Sequence, residues 1–116
     1  MIQDLQANLL NHLELLAQAG NTIYYREAAQ FVGMSHRSRG FFELLDNINR
    51  HEHNECRPLI TALVVHNPNG GVREMPGEGF FSLALGLGLQ EEGEDDHAFW
   101  VAELERVFQY WGQQAH

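Results

Sequence analysis

The residue types best equipped for chemistry are gathered at His51-Glu52-His53-Asn54-Glu55-Cys56. Imidazole, carboxylate and thiol are the groups zinc prefers. A structural site, however, wants two ligand pairs at set spacing, and Cys56 is the single cysteine. His51, His53 and Cys56 are therefore metal candidates only if the fold brings in His66, His97 or His116. A histidine near a helix C-terminus is also favoured by the helix dipole alone. His51 and Glu55 share a helical spacing, but no third catalytic member accompanies them. Ser35, Ser38 and Ser82 lack a nucleophile elbow. With no complete catalytic set, the chain reads as a non-enzymatic protein, with no cofactor expected.

Two further stretches have chemical potential. Met75-Pro76-Gly77-Glu78-Gly79-Phe80-Phe81 places glycines before an apolar run, a pattern that can cradle phosphate. It lacks the Lys and Ser/Thr of a P-loop, and Glu78 repels an anion. The expected alternative is a turn that drops two aromatics into the core. Glu91–Asp96 lacks the alternating ligands of a calcium loop. It reads as a solvated linker, or as a surface that meets a basic protein partner.

These residues need elements to position them. Ile2, Leu5, Leu9, Leu13, Leu16 and Ala17 recur at helical spacing, predicting an amphipathic helix over 2–19, with Gly20 just past its end. Ile23-Tyr24 can form a small strand. Residues 25–32 predict a short helix closed by Gly33. Ser35 or Ser38 can cap a third helix over about 38–51, with Phe42, Leu45, Ile48 and Asn49 along one side. Pro58–Val65, β-rich and uncharged, predicts a strand covered on both faces. Asn67-Pro68-Asn69-Gly70-Gly71 then turns the chain, and Val72-Arg73-Glu74 is expected to return as a partner strand. A short helix over Phe80–Leu87 and a long one over 96–111 complete the pattern. The long helix bears Trp100, Leu104, Val107, Phe108 and Trp111 on one face, a stripe that is either core or a homodimer interface. Asp95 and Asp96 sit at its start, where negative charge is favoured.

Two short helices, a glycine turn and a third-helix start make a helix-turn-helix pattern. A following hairpin makes it a winged helix. The expected fold is thus α+β: mainly helical, winged-helix-like, with a short β-hairpin or small antiparallel sheet and a C-terminal helix. One domain spans 1–116: an N-terminal helix at 2–19, helix-turn-helix plus wing at 22–75, and a helical part at 76–116.

The run Tyr25-Arg26-Glu27-Ala28-Ala29-Gln30-Phe31-Val32-Gly33, with Arg39 six residues on, resembles the DNA-binding half of the O6-alkylguanine-DNA alkyltransferases and alkyltransferase-like proteins. The resemblance covers about residues 22–71, and Asn69-Gly70 resembles the wing turn. It implies that Tyr25 presses on a DNA phosphate and that Arg39 fills the hole left by a flipped base. The family's Pro-Cys-His-Arg or Pro-Trp-His-Arg motif is replaced here by Ile60-Thr61-Ala62-Leu63. Without that thiol, alkyl transfer is excluded. The same spacing is also what unrelated winged helices share. For DNA, the expected contacts are Tyr25, Arg37, Ser38 and Arg39 at the start of the third helix.

The totals bound these readings. A chain of 116 residues, 44% hydrophobic, can bury one core. No run of roughly 18 apolar residues predicts a membrane span. Met1-Ile2-Gln3-Asp4 is not basic then apolar, so no signal peptide is expected. A lone cysteine agrees with a cytoplasmic setting. The net charge of −9 argues against unspecific polyanion binding. It is unevenly placed: residues 20–57 carry five arginines and five acids, whereas residues 74–105 carry nine acids and no base. The two expected partners are therefore DNA, met by the first part, and a basic protein, met by the second in an immunity, inhibitor or adaptor role.

Overall fold

In the computed structural model, which describes residues 2–68 and 74–114, helices dominate. The order is α1 (Ile2–Ala19), β1 (Ile23–Tyr24), α2 (Tyr25–Phe31), α3 (Arg39–Asn54), a 3₁₀ turn (Ile60–Leu63), β2 (Val64–Val65), α4 (Glu78–Gly86) and α5 (Asp96–Gln114). The class is α+β, mainly helical with a small sheet, as the periodicities predict. Among the described residues no helix is long and apolar enough to cross a membrane.

The helices begin and end for local reasons. Ser38 caps α3, its hydroxyl oxygen accepting from the Phe41 N–H at 3.2 Å. Asp95 accepts from the Ala98 N–H at 2.8 Å at the head of α5. Four helices close with the paired backbone bonds of a Schellman turn. At α1, for example, Gly20 N–H donates to Ala17 and Asn21 N–H to Leu16. The left-handed residue is glycine at Gly20, Gly33 and Gly88, but at the end of α3 it is Cys56, with φ 61°.

The apolar stripes converge on one cluster. Leu9, Leu13 and Val107 are fully buried where α1 packs along α5. The buried face of α3 runs Phe41, Leu44, Leu45, Ile48, Asn49, Glu52. Phe42, expected on that face, is instead 45% exposed, because the stripe is centred one residue earlier. Trp100, Val107 and Trp111 are buried and Leu104 and Phe108 pack against the same cluster, so the aromatic face of α5 serves the chain's own core.

The centre of that core differs from expectation. Leu59 to Val65 is buried on all sides, as predicted. Yet Ile60–Leu63 is coiled into a 3₁₀ turn and only Val64–Val65 is extended. The reason lies in where its backbone polar groups find partners. Leu59 N–H donates to the Glu103 carboxylate at 2.8 Å, and Thr61 N–H to the Asn49 side chain at 3.2 Å. The Ala62 carbonyl accepts from the Trp100 indole at 2.9 Å. Helix-borne side chains thus take the role a neighbouring strand would have had.

The sheet is corrected in kind as well. β2 pairs in parallel with β1, Ile23 opposite Val64 and Tyr24 opposite Val65. A parallel pair needs a long crossover, and α2 with α3 supplies it. The small strand expected at Ile23-Tyr24 therefore does form, and it takes the place of the antiparallel partner. The predicted wing turn at Asn69-Gly70-Gly71 and most of the return strand fall outside the described residues. The flanking chain is closed by His66 N–H donating to the Met75 carbonyl at 3.0 Å.

Candidate functional site

Tyr25 opens α2, but its ring does not face outward. It is 8% exposed, edge-on to Phe41 and 4.7 Å from the His66 ring. Its hydroxyl accepts from the Gly77 N–H at 2.8 Å. Burial raises its pKa above the ordinary tyrosine value. Tyr25 is thus an internal tie between α2 and the approach to α4. The surface role implied by the alkyltransferase resemblance does not match this placement. The physical reason is that the core offers the ring contacts and the hydroxyl a donor. A β-carbon on Gly77 would stand 3.1 Å from the His66 imidazole, a tight contact that the ring would have to relieve by a small shift.

Arg37 and Arg39 are exposed at the start of α3, and neither forms an ion pair among the described residues. Ser38 lies between them with its hydroxyl committed, donating to the Ser35 carbonyl at 2.9 Å while capping the helix. The structure thus gives Ser38 a capping role. Behind this corner lies an open groove of about 700 Å³, walled by Tyr24, Arg26, Glu27, His36 and His66. Tyr24 is half-buried and Arg26 exposed. Sequence reasoning placed Tyr24 only as a strand residue. No sequence signal separated it from Tyr25, because the strand ends at Tyr24 and Tyr25 already opens α2.

The His51–Cys56 cluster comes apart on the helix. Successive residues are 100° apart, so the side chains diverge. His51 faces Arg57, with Nε2 3.4 Å from a guanidinium nitrogen. Glu52 is fully buried and paired with Arg57, whose guanidinium also lies 5.9 Å from the Trp111 ring centroid. His53 and Cys56 line a groove of about 530 Å³ beside Glu103 and Tyr110. Among the described residues, no three His, Cys, Asp or Glu side chains are grouped to hold a metal ion.

Phe80 and Phe81 are buried, as the turn reading of Met75–Phe81 expected. The acids at 91–96 have local work. Glu94 accepts from the Glu91 N–H at 3.0 Å, and Asp96 from the Gln90 amide at 2.7 Å.

One partly open cavity was not foreseen. Between α2, α3 and the start of α4 lies a cavity of about 410 Å³. Tyr25, Phe42, Asp46, His66, Glu78 and Phe80 line it, and the Asn49–Thr61 pair, 2.6 Å apart, lies at its wall. Burial raises the pKa of the Asp46 carboxyl above its ordinary value. Arg50 opposes that shift and Glu43 adds to it. No sequence signal marked Asp46, since a charged residue beside a helical stripe ordinarily faces solvent.

The chain matches no protein-family model, no curated protein and no solved structure. Fold and surface together define a small, mainly helical α+β domain with exposed arginines at the start of α2 and α3 and a cavity between α2, α3 and the start of α4.

Proposed function

We propose that this chain is a non-enzymatic recognition domain that binds nucleic acid along the corner formed by β1, α2 and the start of α3. The observation that carries the reading is a set of three exposed arginines that form no ion pair among the described residues: Arg26, which lines the groove with the half-buried Tyr24, and Arg37 and Arg39 at the start of α3. Unpaired guanidinium groups suit phosphate oxygens, and an adjacent ring suits a stacked base. Glu27 is the carboxylate within the groove. The alkyltransferase-like mode of contact contributes little to this reading, because Tyr25 is buried and Pro58–Val65 is largely coiled. What supports it is the arginine corner and the helix-turn-helix order.

The test is fluorescence polarisation at low salt with duplex and single-stranded oligonucleotides. Binding tighter than about 10⁻⁴ M is expected, and its absence rejects the proposal. The double variant Arg37→Ala/Arg39→Ala is expected to weaken binding at least about tenfold and to flatten the salt dependence by roughly two units of slope. Both side chains are exposed, so the fold should be unchanged.

A further inference from the structure

We infer that the cavity between α2, α3 and the start of α4 is a binding site for a small organic cation with an alkylated ammonium head. Its size, about 410 Å³, falls in the range of small-ligand sites. Three aromatic rings line it: Tyr25, Phe42 and Phe80. Aromatic rings attract cations through their quadrupoles, and alkylated ammonium groups gain most because they shed water readily. Two carboxylates, Asp46 and Glu78, share the lining, and neither lysine nor arginine does.

Asp46 decides the sign of the ligand. It is half-buried, and among the described residues it accepts no hydrogen bond and forms no ion pair. Arg50, one turn along α3, is exposed and acts on it only through space. A desolvated carboxylate without a partner is costly. A cation in the cavity would remove that cost while touching the rings. An anion would meet two carboxylates, and a neutral ligand would leave the Asp46 charge without a counter-charge. Phe42 fits the same picture. It is nearly half exposed, yet it stands 6.3 Å from the Tyr25 ring at the cavity's edge. The inference is independent of nucleic-acid binding, since Arg37 and Arg39 take no part in it.

The test titrates the ¹⁵N-labelled full chain with choline chloride, with sodium chloride as the ionic-strength control. The neutral isostere 3,3-dimethylbutan-1-ol and a trimethyl-lysine peptide form the other arms. Choline is expected to produce saturable shifts at the Gly77, Gly79 and Phe42 amides within about 10 mM, as a ligand of about 1 mM affinity would. The isostere should bind at least about tenfold more weakly. Asp46→Asn and Phe42→Ala should each weaken choline at least about tenfold. Phe42→Ala truncates a half-exposed ring, which keeps the test sound if the Asn variant alters the fold. A peptide that binds while choline does not would overturn the free-cation reading in favour of a protein-borne cation. Absence of saturable shifts, equal binding of the isostere, or unchanged affinity in both variants would overturn the site.

Discussion

Asp46 shows how one residue trades stability for readiness. Its folded-state pKa lies above the ordinary aspartate value, so the folded chain holds the proton more tightly than the unfolded chain. Its contribution to stability is therefore full below the ordinary aspartate pKa and is lost as pH rises through the raised folded value. The groups facing it are Arg50 and Glu43 on α3, Tyr25 on α2, and His66 and Glu78 across the cavity. Glu14 behaves alike, raised by burial and by Glu52 against the opposing Arg57. Asp46→Asn is expected to melt higher than the parent at neutral pH, with the difference vanishing in acid; calorimetry across pH reads this. Cys56 is the second residue of interest. It holds φ 61° where three sister turns use glycine. A left-handed non-glycine residue costs about 1 kcal/mol, so Cys56→Gly should raise the melting temperature by about 4 °C. An unchanged or lower value would mean that the thiol makes a compensating contact in the groove it lines.

Among the elements, α3 carries the most varied duties. Its N-terminus presents the arginine corner, its middle lines the cavity, and its C-terminus holds Glu52 in the core. Glu52 is fully buried, and Arg57, reaching back from the Schellman turn, is its partner. Removing one member of a buried pair leaves a charge without compensation. Arg57→Ala is expected to cost about 3 kcal/mol, the lower end for such pairs because Arg57 is itself partly exposed. A urea midpoint shift measures it, and a shift near zero would show that water replaces Arg57 at the Glu52 carboxylate. The coiled segment after α3 illustrates the same dependence. Asn49 from α3 and Glu103 and Trp100 from α5 hold it, so its conformation belongs to its neighbours more than to its own β-rich composition.

For the molecule as a whole, charge distribution sets the terms of any binding. A formal charge of −9 repels polyanions at long range, while the three arginines of the corner, which form no ion pair among the described residues, act locally. Nucleic-acid affinity should therefore be modest and strongly salt-dependent only to the extent of those few contacts. Three phosphates neutralised correspond to a slope of log K against log salt between about −2 and −3. A polarisation series over salt concentration checks this. A slope near zero would show that the contact is not ionic, and a much steeper one that cations beyond the corner take part.

Periodicity placed the helices, because a stripe repeating every 3.6 residues favours burial of one face, although the face of α3 is centred nearer Phe41 than Phe42. Local chemistry likewise marked Gly20 and Gly33 as stops and Ile23-Tyr24 as a candidate strand, and narrowed the α3 cap to Ser35 or Ser38, of which Ser38 serves. Tertiary structure alone decided the rest. Whether Ile60–Leu63 coils or extends depended on which side chains reached its backbone from α3 and α5, residues 12 to 44 positions away in the chain. Tyr25 and Tyr24 are neighbours of like type, and only packing sent one into the core and left the other at the groove. Asp46 became a cavity wall because Gly77–Phe80 folds against α3, a meeting that no local pattern encodes.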